Sequence, residues 1–127
     1  MKILLAPAEI KMKNGNEKQI CKENFTFPNI YDVRIEVLTH YENLISNSSL
    51  EELSIWFGIK NLDDVKEYSK SILNKPTMKA IQRYSGVAFE ALEYNLLDKP
   101  TQEYINNNVL IFSNLFGVVK ASDLIPD

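Results

Sequence analysis

Residues 109–127, VLIFSNLFGVVKASDLIPD, decide the fold. The run VLIFS at 109–113 is apolar and ends in a polar residue, which predicts a strand. A second apolar stretch follows, and its Gly117 is suited to a turn that needs a positive φ. The chain reaches Pro126 one residue before its end. So much apolar and turn-forming sequence is unusual at a terminus, where chains tend to fray.

Upstream of this stretch, the apolar run KILLA at 2–6 predicts a short buried strand. Residues 7–29 mix lysine, asparagine, glycine and proline with no sustained period. They predict a long loop or arm, and a loop of this length in a compact domain is often functional or mobile. Five lysines and two glutamates give residues 1–22 a net charge of +3, whereas residues 31–68 carry three bases and eight acids, a net −5.

Helical signals occupy the middle of the chain. Apolar residues recur every three or four positions from Tyr31 to Ile45, which predicts an amphipathic helix of about four turns. Ser49 and Glu52 form a capping-box pattern for a second helix. Gly58 fits the C-terminal cap of that helix.

Asn61 predicts the start of a third helix, which runs to Leu73. Weak alternation at 78–84 predicts a strand, and residues 87–97 and 101–107 predict two further helices. The order is therefore β, several α, β, α, α, β. It favours an α/β or α+β fold in which a small mixed sheet has several flanking helices.

The composition limits the function. A chain of 127 residues with 45% hydrophobic and 24% charged residues fits one globular domain. Its net charge of −3 argues against a strongly basic nucleic-acid module. Cys21 is the only cysteine and no stretch resembles a signal peptide or a membrane span, so we expect a cytoplasmic protein without membrane contact.

Few residues carry recognisable chemistry. His40 and Cys21 are the only soft metal ligands and lie in different elements, so we expect no metal and no cofactor. Ser85 and Gly86 stand at a predicted strand-to-helix turn, but the sequence YSGVA lacks the G-x-S-x-G pattern of a nucleophile elbow. A helix cap followed by a permissive glycine is the simpler interpretation.

Three segments together resemble the YaaA-like peroxide stress family. KILLAPAEIK resembles its opening strand and S-P-A-K signature, with Ala6 and Glu9 in place of the serine and the lysine. AIQRYSGVAFEAL resembles its A-I-x-x-F-x-G-x-x-Y-x-G-L stretch. Residues 109–127 resemble its L-S-G-L-Y-G-V-L-R-P-x-D-L-I-x-P-Y-R-L signature, with Lys120 in place of the arginine. Lys11 lies two residues beyond Glu9 and is a substitute for the missing lysine charge.

The resemblance implies a longer protein, so residues 1–127 are expected to be the N-terminal half of one domain. It also implies that 113–127 form an interior strand-turn-helix connection. The implied function is protection of bacteria against hydrogen peroxide, with little free iron and an ability to bind duplex DNA. A shortened chain is then expected to self-associate through exposed apolar surface.

Two kinds of site follow from these patterns, and a third alternative is a truncated chain without activity. In the first, a binding module contacts DNA phosphates through four basic residues: Lys11, Lys13, Arg83 and Lys120. In the second, an enzyme acts on a small phosphorylated or nucleotide-like substrate in a pocket at the strand ends, where α/β proteins usually hold ligands. The expected pocket residues are Glu9, Ser85, Ser113 and Asp123.

Overall fold

The computed structural model describes all residues from 1 to 127 and contains seven short strands and six α-helices. The strands are β1 (Ile3–Leu5), β2 (Ile10–Lys11), β3 (Met78–Lys79), β4 (Tyr84–Ser85), β5 (Val109–Ser113), β6 (Gly117–Lys120) and β7 (Leu124–Ile125). The helices are α1 (Tyr31–Ser46), α2 (Leu50–Phe57), α3 (Leu62–Tyr68), α4 (Ala80–Arg83), α5 (Val87–Leu92) and α6 (Lys99–Asn108). Small mixed sheets with flanking helices confirm the α/β class. None of the helices combines the length and the apolar character needed to cross a membrane.

The largest sheet has three strands in the order β1-β5-β6. β1 runs parallel to β5, and β5 and β6 form an antiparallel hairpin. Two further antiparallel pairs, β2 with β4 and β3 with β7, are two residues long in each strand. They join the beginning and the end of the chain to residues 78–85.

Two apolar clusters lie inside the molecule. The main core contains 15 buried residues and packs against one face of the three-stranded sheet, where Ile111 and Val119 are fully buried. The small cluster consists of Ile45, Leu53 and Val65, one from each of α1, α2 and α3. The main core also contains side chains from α1, α4, α5 and α6, so the small cluster is a local interior that lies beside it.

The signals for the first helices are confirmed in detail. α1 has 16 residues, a little over four turns. Ser49 and Glu52 form both hydrogen bonds of the capping box, and Gly58 ends α2 with φ of 66°. The side chain of Asn61 accepts a hydrogen bond at the start of α3. α3 ends at Tyr68, earlier than expected, and a 3₁₀ turn at Ile72–Asn74 follows.

Three expectations for the second half are wrong. The expected strand at 78–84 is β3, α4 and β4, because the backbone N–H groups of Ala80 and Ile81 donate to carbonyls near the end of the chain. α5 stops at Leu92, where Glu93 takes a positive φ of 48°. The expected helix after Gly117 is strand β6.

The strand predicted at 2–6 exists as β1, but it is not buried. Leu4 is 65% exposed and Ile3 is 39% exposed. β6 lies on the other side of β5, so β1 forms an edge of the sheet. Ile3 and Leu4 are therefore poorly covered, whereas Leu5 packs against the main core.

Candidate functional site

Residues 9–16, here called the lysine arm, are fixed to the body of the protein although the sequence predicts a loop. β2 pairs with β4 so that Lys11 lies opposite Tyr84. The backbone N–H of Met12 donates to the carbonyl of Arg83 at 2.6 Å. Gly15 lies so close to the chain at Thr77 that a Cβ atom would come within 2.6 Å of its carbonyl oxygen. The arm is therefore a rigid support for its side chains.

Arg83 holds the lysine arm from below. It is fully buried, and its guanidinium donates to the carbonyls of Met12 at 2.6 Å and Asn14 at 2.5 Å. It also donates to the carbonyls of Pro76 at 3.2 Å and Ile125 at 3.2 and 3.3 Å. With its donors occupied by backbone, Arg83 has no exposed face for a phosphate. It acts on the site by positioning the arm.

Lys11 and Lys13 line one cavity of about 490 Å³, here called the lysine cavity. Lys75 lines it from the segment after α3, and the acidic groups on its wall are Glu9 and Asp127. The rest of the wall is largely apolar and comes from residues Ile10, Tyr41, Phe57, Ile59, Tyr68, Ile72 and Leu115. Three lysines against two carboxylates leave a positive balance, which favours an anionic ligand.

The two lysines of the arm have different surroundings. Lys13 is exposed, whereas Lys11 is half-buried with its Nζ 5.8 Å from the ring centre of Phe116. Burial lowers the pKa of Lys11, the Asp127 carboxylate offsets part of that shift, and the nearby cations Arg83 and Lys75 add to it. A cation beside apolar walls acts on an anion more strongly than one in water.

Lys75 was missed by the sequence reasoning. Its Nζ lies 5.7 Å from the ring centre of Tyr68 and donates to the Asp127 backbone oxygen at 3.5 Å. No local pattern marks this lysine, because the residues that share its cavity are distant in sequence. Only the folded chain brings the arm and the segment after α3 together.

Ser85 lies in a different cavity, of about 630 Å³, which Lys13 also borders. The Ser85 hydroxyl donates to Glu90 Oε1 at 3.3 Å. Across the same cavity, Gln82 Nε2 donates to Asn95 Oδ1 at 2.8 Å. No histidine lines this cavity, and the carboxylate of Glu90 is the side chain to which the Ser85 hydroxyl is hydrogen-bonded.

The other expected site residues support the β5–β6 hairpin and the turn that follows. Ser113 Oγ accepts from the backbone N–H groups of Leu115 and Phe116 at 3.2 and 3.0 Å. The buried Asp123 carboxylate accepts from Thr26 Oγ1 at 2.6 Å and from the backbone N–H of Lys120 at 2.9 Å. The lining of the lysine cavity includes neither side chain, nor that of Lys120.

The structure thus brings together three of the eight expected residues, Glu9, Lys11 and Lys13, at the lysine cavity. The remaining five are distributed over the interior, the Ser85 cavity and the hairpin. No group of three or more histidine, cysteine, aspartate or glutamate side chains lies close enough to hold a metal ion. The arrangement is suited to binding an anion.

Known proteins similar to this chain are bacterial. An uncharacterized protein of Campylobacter jejuni is 44% identical over 126 residues, which cover 99% of this chain and 51% of that protein. A UPF0246 protein of Corynebacterium efficiens is 35% identical over 127 residues, which cover 99% of this chain and 49% of that protein. A UPF0246 protein of Francisella philomiragia is 34% identical over 134 residues, which cover 98% of this chain and 49% of that protein. The chain spans about half the length of the curated relatives it matches.

A family model described as peroxide stress protein YaaA matches residues 1–127, the whole of the sequence. The name of that family fits a role in peroxide stress. The chain therefore belongs to the YaaA family of peroxide stress proteins.

Proposed function

We propose that residues 1–127 are part of a cytoplasmic protein that protects bacteria against hydrogen peroxide by binding duplex DNA and by limiting free iron. The family membership supports the peroxide role. The lysine cavity is the observation that carries the DNA proposal, because it places two neighbouring arm lysines and Lys75 around one space. The proposed effect on iron rests on the family resemblance alone.

The lysine arm contacts the phosphate backbone in this proposal. Lys13 is exposed and meets a phosphate directly, while the half-buried Lys11 supplies positive charge behind it. Lys13 also borders a second cavity whose wall has a negative balance, because the four carboxylates of Asp63, Asp64, Glu67 and Asp127 face the three lysines Lys13, Lys70 and Lys75. DNA therefore approaches the arm from the side of the lysine cavity, which Lys11 also lines.

The proposal predicts binding with little sequence preference, because phosphate contacts carry no sequence information. In the full-length protein, Lys11→Ala with Lys13→Ala should weaken binding about equally for unrelated duplexes. Each lost contact should also reduce the slope of log affinity against log salt by about 0.9. Fluorescence anisotropy at several salt concentrations measures both quantities.

A matched control is Lys22→Ala with Lys99→Ala, which removes the same charge from two exposed lysines outside the lysine cavity. This variant should keep most of the affinity and nearly the wild-type slope. If both double variants bind DNA with equal affinity and slope, the arm is ordinary solvated surface and the DNA site lies elsewhere.

A second candidate is an enzyme or binding protein for a small phosphorylated molecule, favoured by the size of the lysine cavity. Its volume of about 490 Å³ lies within the range of about 300–1,000 Å³ that is usual for small-molecule sites. Saturable calorimetric binding of a nucleoside monophosphate, lost in Lys11→Met and without measurable duplex binding, would support this candidate over DNA.

A further inference from the structure

The three-stranded sheet has one covered face and one open face. Paired residues of neighbouring strands share a face, and the register places Leu4 beside Leu110 and Phe112 beside Val118. These four apolar side chains form a surface, here called the outer sheet face, and Lys120, which pairs with Leu110, lies on the same side of the sheet and borders it. Val109, Ile111 and Val119 point to the other side and are at most 5% exposed.

The outer sheet face is poorly covered by residues 1–127. Leu4 is 65% exposed and Phe112 is 49% exposed, while Leu110 and Val118 are half-buried. Parallel strands are usually covered on both faces of their sheet, and β1 and β5 form such a parallel pair. An open face of leucine, phenylalanine and valine therefore indicates a missing layer.

The edge of β1 is open as well. β1 pairs only with β5, so its second edge carries no ladder hydrogen bonds. Its residues Ile3–Leu5 include none of the charges or prolines that proteins use to protect an exposed edge. Ile3 points toward the core side and is still 39% exposed, whereas Leu5 on that side packs against the main core.

We propose that the half of the family's length outside residues 1–127 covers the outer sheet face and adds a strand beside β1. The matched relatives supply a segment of the required size, since residues 1–127 span only 49–51% of them. A second copy fits less well, because β1 has only three residues for edge pairing. Such a contact is far smaller than the roughly 1,000 Å² of a stable interface.

The proposal is tested with the double variant Leu4→Lys with Phe112→Lys, in the full-length protein and in residues 1–127. In the full-length protein both lysines would be buried, so the melting temperature should fall by about 10 °C or more. In residues 1–127 the same positions are exposed, and the shift should be below about 2 °C. The control, Ile55→Lys with Val87→Lys, replaces two side chains that are 78% and 88% exposed and should change little in either protein.

Amide exchange gives an independent measurement. The amides of Ile3–Leu5 that face away from β5 should exchange slowly in the full-length protein and quickly in residues 1–127. The proposal is overturned if, in the full-length protein, the double lysine variant has the same melting temperature as the wild type. It is also overturned if the full-length protein sediments as a dimer that Leu4→Lys dissociates, because a second copy then covers the face.

Discussion

Two regions of the molecule are stabilised in different ways. The helical layer, here α2 and α3 with the C-terminal end of α1, depends on contacts between residues close in sequence. Its helix ends are capped by Ser49, Gly58 and Asn61, and its interior is the small cluster of three side chains. Each cap satisfies backbone groups that the helix itself leaves unpaired.

The arm region, which comprises β2, β3, α4, β4 and β7, depends on long-range polar contacts. Arg83 joins four backbone carbonyls from three separate segments of the chain. Outside the arm region, Arg34 of α1 binds the β5–β6 hairpin in a similar way: it donates to the carbonyls of Phe116 at 2.7 Å and Val118 at 2.5 Å. The candidate phosphate-binding residues Lys11 and Lys13 therefore lie on the part of the protein that a buried arginine stabilises.

The largest effect is expected from Arg83→Met, which keeps much of the side-chain volume and removes the donors. Four carbonyls lose their charged partner, and each unsatisfied buried group costs about 1–3 kcal/mol. We expect the free energy of unfolding to fall by about 4 kcal/mol, measured by urea denaturation. Arg34→Met, which removes donors from three carbonyls, should cost less.

A control for this prediction is Lys99→Met, which removes an exposed cation at the start of α6. It should change stability by less than about 0.5 kcal/mol. A loss below about 1 kcal/mol in Arg83→Met would show that the arm is held by its strand pairing and not by the arginine.

A smaller loss is expected from Leu53→Ala in the helical layer. Leu53 is 1% exposed, but only two other buried side chains share its cluster. We expect a cost of about 2 kcal/mol, at the low end of the range for buried leucines. Ile111→Ala in the main core should cost about twice as much, and equal losses would contradict an effect of cluster size.

The same difference explains how far sequence reasoning reaches. The helical layer was predictable because Ser49 and Glu52 act on each other across three residues. The sequence predicts Arg83 as a phosphate contact. Its burial could not be predicted, because its carbonyl partners Met12 and Asn14 lie 71 and 69 residues away. α4 replaced a predicted strand for the same reason, since the N–H of Ala80 donates to the carbonyl of Asp123. The pair Lys11 and Lys13 was accessible from local spacing, whereas Lys75 was not.

Two glycines allow one substitution to be compared in both regions. Gly117 has φ of 71° at the hairpin and Gly58 has φ of 66° at the end of α2. A Cβ atom at either position meets nothing closer than 4.0 Å, so the cost of adding a side chain comes from the backbone. Gly117→Val and Gly58→Val should each cost about 1–3 kcal/mol. A large difference in their melting temperatures would contradict this common origin.

The smallest effect concerns Lys11, whose pKa is lowered by burial in the arm region. At neutral pH the folded protein carries the charged amine against this burial, whereas Lys11→Met does not. Between the lowered folded pKa and the ordinary value of 10.5, the unfolded chain binds the proton more tightly than the folded protein. Wild-type stability should therefore rise relative to Lys11→Met as the pH increases through this window.

Buried tyrosines that titrate nearby are present in both proteins, so their contribution cancels in the difference. Urea denaturation of the two proteins at pH 7 to 10.5 measures it. A difference that stays constant across this range would mean that Lys11 is fully hydrated, and the arm would then differ from the helical layer through Arg83 alone.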